Sequence, residues 1–173
     1  MRRMPRWGMI CCLTLEGVAL AVWVGGMIVL SGAVIPAVFN TFGGQDSGGL
    51  FLTRAFEEYH RFIIGASGIL TVALLGRWWS GEPRVMVRVS EIILLAMMVV
   101  IAGVIILVLH PDAAGLQAQA FATKDEGAKK AAFEAFFRVL LPIRSLYMVN
   151  LALGLLLVGI RAKRVMDYDG RQS

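Results

Sequence analysis

Four long apolar blocks dominate the chain, separated by short stretches where charged and turn-forming residues collect. The first runs from about Met9 to Phe39 and holds one charge, Glu16, with Pro36 near its far end. Crossing a hydrocarbon core takes roughly 20 apolar residues, so this block predicts a spanning helix over about residues 12–39. Asn40 to Gly49, rich in Gly with Asp and Ser, predicts a turn in which Ser47 caps the next helix. From Leu50 the residues Leu50, Phe51, Ala55, Phe56 and Tyr59 interleave with charge at helical spacing, and the pattern passes without a breaker into Phe62 to Leu75. This predicts a helix that starts amphipathic and then spans over about 58–77. Gly76 to Arg88 predicts a basic turn, with the Trp78-Trp79 pair as an interfacial belt. The third block, Ile92 to Leu109, predicts a span over about 90–110 that stops at His110-Pro111. After the polar, Ala-rich Asp112 to Gly127, a helix from about Lys129 carries Phe133, Phe136, Phe137, Leu140 and Leu141. It continues past Pro142 into Tyr147 to Ile160, with its span over about 140–161.

The pattern predicts an all-α fold: one integral membrane domain over residues 1–173, a four-helix up-down bundle with amphipathic extensions on the second and fourth helices. Composition agrees. Apolar residues are 58% of the chain and charged residues 17%, against roughly 45–50% and 25% for soluble domains. The net charge of +5 does not predict a nucleic-acid partner, because the basic residues flank the apolar blocks as the positive-inside rule requires. Met1 to Leu30 begins like a signal peptide, but its apolar run is too long for one and lacks a small-x-small site, which predicts a retained anchor. Ten Lys and Arg fall on the side of the termini (Arg2, Arg3, Arg6, Arg77, Arg84, Arg88, Arg161, Lys163, Arg164, Arg171). Seven fall on the other (Arg54, Arg61, Lys124, Lys129, Lys130, Arg138, Arg144), offset there by seven acids. Both termini are therefore expected in the cytoplasm, with the chain multi-pass in a bacterial inner membrane.

A family resemblance rests on two motifs. The stretch from Val18 to Phe39, VALAVWVGGMIVLSGAVIPAVF, holds a Trp-x-Gly-Gly followed about ten residues later by Pro and Phe; Ala55 to Phe62 reads AFEEYHRF. With the long final helix carrying Asn150, these resemble the transmembrane protein 205-like domain, a domain of unknown function, over the whole chain at the level of layout. The Trp-x-Gly-Gly is also similar to the copper resistance D family. The first family usually has Leu-His-x-x-Ser before its last span, whereas Leu140-Leu141-Pro142-Ile143-Arg144 has no His here. The resemblance implies fold more than function.

Few residues carry chemistry. His60 and His110 are the only histidines, and the topology puts both near the outer face. If their helices are neighbours, the pair can bind copper or a b-type haem iron; the plainer reading is two interfacial polar residues. Glu16, an acid inside a span, can carry protons or hold a cation, or can sit near the cytoplasmic interface or pair with Arg84 or Arg88. Trp23, Gly25 and Gly26 read as packing, as do Gly65, Ser67 and Gly68. Arg144 can snorkel outward, and Asn150, near mid-span, must find a hydrogen-bond partner. Adjacent Cys11 and Cys12 read as soft apolar residues at a membrane boundary, with lipidation as the other option. Phe51, Phe56, Phe133, Phe136 and Phe137 mark surfaces that lie on the membrane, cover the bundle mouth or dock a partner.

There is no Walker loop, Rossmann glycine pattern, Gly-x-Ser-x-Gly or zinc motif. The expectation is a non-catalytic accessory subunit of a larger respiratory or photosynthetic membrane complex. Its partners are membrane lipids, some of them bound, and other membrane-protein subunits. The alternatives are a small transporter or metal-handling protein using Glu16, His60 and His110, and a haem or quinone redox protein.

Overall fold

A computed structural model describes residues 6–42, 45–80, 87–123 and 125–169, and nearly all of them are helical. The side chains of Ser47, Phe133 and Phe137, and Arg84 as a whole, lie outside what it describes. Four rods result. Helix α1 covers residues 6–42, α2 Gln45–Ser80, α3 residues 89–122 and α4 Glu126–Asp169. Each contains a stretch long and apolar enough to cross a membrane: Trp7–Phe42, Gly48–Ser80, Val89–Ala122 and Gly127–Lys163. The rods outlast the predicted spans because the polar flanks also propagate as helix. Residues 76–80, expected in a turn, finish α2. The predicted 40–49 turn shrinks, since α1 runs to Phe42 and α2 starts at Gln45.

The largest departure is in α3. The expected stop at His110-Pro111 does not occur, and the helix continues to Ala122. A regular α-helix resists an interior proline because the ring lacks an N–H and crowds the carbonyl four residues back. Here the five residues Ile105–Leu109 form a π-helical turn, in which the His110 amide donates to the Ile105 carbonyl, five residues back. The wider turn opens the ladder just ahead of the ring. Helix α1 is widened twice in the same way, at Ala21–Gly25 and Leu30–Val34. At the first of these, the Tyr59 hydroxyl of α2 donates to the Trp23 carbonyl, a side chain inserted into the ladder.

Consecutive rods run antiparallel. The start of α1, the end of α2, the start of α3 and the end of α4 meet at one end, here called basal, through Glu16, Arg77, Glu91 and Arg161. Helix α2 packs along α1, α3 packs along α4, and the middle of α1 also crosses α4. Trp23, Leu70, Met98, Ile105 and Leu157 fill the interior and are essentially inaccessible. Two glycines permit the closest approaches. A Cβ on Gly26 would lie 2.5 Å from Cε2 of Tyr59, and one on Gly154 would lie 2.6 Å from Cγ2 of Val24. Gly25, Gly65 and Gly68, expected to pack in the same way, instead face open space on the outside of the rods.

Candidate functional site

Two buried polar layers interrupt this apolar interior. They lie at the two ends of the apolar run of α3: Glu91 precedes it and His110 follows it. Nineteen residues of helix separate them by about 28 Å, close to the roughly 30 Å of a bilayer's hydrocarbon core.

The basal layer takes one charged side chain from each rod. Arg77 of α2 donates from Nη1 to both carboxylate oxygens of Glu16 of α1, at 3.0 and 2.8 Å. The same nitrogen lies 3.5 Å from Oε2 of Glu91 of α3. Arg161 of α4 donates from Nη2 to Glu16 Oε1 at 2.9 Å, and its Nε is 3.8 Å from Glu91 Oε2. Glu16, Arg77 and Glu91 are buried and Arg161 nearly so. Two acids and two arginines balance, so the charge is compensated where water is scarce. Glu16 thus has its partners in Arg77 and Arg161. The pairing considered with Arg88 is not what the structure shows, and Arg84 is outside the described residues. Arg77 and Arg161 read in sequence as interfacial charge because each ends an apolar block; the ends of the neighbouring rods bury them.

The opposite, distal layer holds the two histidines. His60 of α2 and His110 of α3 touch edge to face, with ring centroids 4.7 Å apart and planes at 81°. His60 Nε2 is hydrogen-bonded to the Tyr147 hydroxyl of α4, and Phe56 covers the Tyr147 ring at 5.5 Å between centroids. Further out, Thr53 of α2 and Gln117 of α3 are hydrogen-bonded through their side chains.

The π turn brings these groups inside. Inward-facing residues of α3 run Glu91, Leu94, Leu95, Met98, Ala102, Ile105. Regular spacing would continue through Leu109, Asp112 and Leu116. The extra residue in the wide turn moves the inward set on, so that His110 joins Leu109 against the interior and Ala113, Gln117 and Ala120 follow. Sequence reading missed Tyr147, Gln117 and the wide turn, because an unbroken 3.6-residue period carries no sign of an inserted residue.

A bis-histidine haem needs its rings on opposite sides of a macrocycle. Rings in edge contact leave no gap for one, so this geometry does not fit haem b. Among the described residues there is no group of three or more His, Cys, Asp or Glu able to hold a metal. Asn150 finds its partner in a backbone carbonyl: Nδ2 donates to Met98 O at 3.1 Å. Arg144 is exposed, and Trp23 is wholly buried packing. Cys11 and Cys12 are free thiols, Cys11 exposed.

Residues 18–122 match the family model of a domain of unknown function, DUF4149. The chain belongs to the DUF4149 family. The DUF4149 match takes in Trp23, Gly25, Gly26, His60 and His110, whereas Glu16, Tyr147, Asn150 and Arg161 lie outside it. Neither the curated proteins nor the solved structures contain a match to this DUF4149 chain.

Proposed function

We propose that the protein is a non-catalytic integral membrane subunit, spanning a bacterial inner membrane four times with both termini in the cytoplasm. In this reading it packs against and stabilises a larger membrane complex, respiratory or photosynthetic in kind. The observation that carries it is the filled interior. Trp23, Leu70, Met98, Ile105 and Leu157 fill the axis, and the basal charges compensate each other, which suits a packing subunit better than a conduit. Where the interior is closed, the outside offers contact. Gly25 and Gly32 on α1 and Gly65 and Gly68 on α2 face outward with nothing against them, and small residues let a neighbouring helix come close. Exposed Trp7, Trp78 and Trp79 lie around the basal end, where an aromatic belt would meet headgroups and hold lipids. Kinship with transmembrane protein 205-like bundles belongs to the same proposal and rests on the Trp23-x-Gly25-Gly26 layout.

The test is the native mass of the untagged protein after mild solubilisation from its own membranes, with co-migrating proteins identified. A stoichiometric assembly with other membrane proteins is the expected result. A lone monomer would overturn the subunit reading.

A further inference from the structure

We infer that the distal layer is a binding site for one divalent late first-row transition-metal ion, held by His60, His110 and Tyr147. The inference is independent of the subunit reading.

The ring geometry decides which kind of site this is. A metal–nitrogen bond of about 2.0 Å, plus roughly 1.1 Å from ring nitrogen to ring centre, puts each imidazole centroid about 3.1 Å from the ion. Two trans ligands then have centroids about 6.2 Å apart, and two cis ligands at about 90–100° have them about 4.4–4.8 Å apart. The observed separation is 4.7 Å. The histidines are therefore spaced as cis ligands, and only rotation about their side-chain torsions is needed to aim two nitrogens at one point. Tyr147 supplies the third donor, because its hydroxyl already sits on His60 Nε2. The ion replaces the hydrogen between these two atoms, and the phenol passes its proton to solvent as it becomes a phenolate ligand. The three ligands come from α2, α4 and, through the π turn, α3; such turns recur at functional sites.

Charge and access fit a dication. Glu57, one turn before His60, is near enough to act electrostatically on His110. A phenolate and this carboxylate together offset a charge of two in a poorly solvated place. His110 is half-buried, so its ring is not sealed inside the bundle. Two imidazoles and an oxygen in cis arrangement suit tetragonal copper(II), and divalent affinities peak at copper in any case.

The experiment is a copper(II) titration of the full-length, untagged protein in detergent, followed by electron paramagnetic resonance and visible absorption. One tight equivalent is expected, with a tetragonal signal, electron spin-echo modulation from two imidazoles, and a phenolate-to-copper absorption band. His60→Ala and His110→Ala should each weaken binding by at least the roughly 10–100-fold that losing even a supporting group costs a metal site. Tyr147→Phe should abolish the band and keep the imidazole modulation. Circular dichroism checks that each variant is folded, and the wild-type spectrum decides the matter even where a variant is not. A wild-type protein that binds no tight equivalent, or whose bound copper shows fewer than two imidazoles, overturns the inference.

Discussion

Glu16 and Arg77 lie sixty-one residues apart in sequence, yet two hydrogen bonds of 3.0 and 2.8 Å join them and neither side chain is more than 4% exposed. A pair this buried matters chiefly when half of it is removed. Glu16→Ala takes away the carboxylate to which both Arg77 and Arg161 donate and leaves Glu91 alone against two arginines; removing one partner of a buried pair costs about 3–5 kcal/mol. The exposed pair Arg61–Glu58, at 2.9 Å, should lose less than about 1 kcal/mol on Arg61→Ala. Thermal unfolding of the two variants in detergent, followed by circular dichroism, should show a large fall in Tm for the first and almost none for the second.

Gly25 and Gly26 are neighbours in one motif with opposite surroundings. Alanine at 26 drives a methyl group into the Tyr59 ring and disturbs the bond from its hydroxyl to Trp23; alanine at 25 meets nothing. Gly26→Ala should destabilise by about 1–3 kcal/mol, the usual cost of overpacking, whereas Gly25→Ala should be neutral. Equal effects in a thermal unfolding comparison would contradict the packing described for α1 against α2.

The wide turn of α3 can be closed by deleting one residue. Removing the exposed Leu107 should restore a regular helix there and leave everything beyond it facing as before, since the wide turn already absorbs the extra residue. In a background with Cys11→Ser and Cys12→Ser, a thiol at 112 is open to maleimide in the parent, and one at 113 is shielded. The deletion should keep that order, and a reversal would contradict a one-residue insertion at the wide turn.

The proposed orientation also has a direct readout. Cys11 is exposed and lies five residues, about 7.5 Å, toward the N-terminus from Glu16. A membrane-impermeant maleimide should label it in inverted inner-membrane vesicles and not in intact spheroplasts. The opposite pattern would place the termini outside.

How much of this was legible beforehand depends on which residues carried it. The four apolar blocks announce the rods, and helical spacing from Leu50 onward correctly joins the polar start of α2 to its apolar part. Pro142 was correctly read through, since the apolar pattern resumes on both sides. Pro111 was not, because polar sequence follows it and residues 110–122 are held by tertiary contacts, with α4 and through Thr53 and His60 with α2. Glu16 stood out as an acid in an apolar block, but its partners did not, because Arg77 and Arg161 end their blocks and look like solvated flanks until the rods are assembled. The histidines could be paired only conditionally; Tyr147 gave no signal, since a tyrosine near the edge of a span looks like any interfacial aromatic.

The π turn at Ile105–Leu109 acts on α3 as a frameshift acts on a reading frame. Upstream and downstream segments each keep perfect helical time, but in different phase, and the offset is one residue. A relative lacking that residue would keep the counterparts of His110 and Gln117 toward the bundle, but at numbers one lower. Position-by-position alignment across this stretch therefore misassigns inside and outside unless a gap is opened within the turn, and the histidine it delivers is the first residue whose meaning changes.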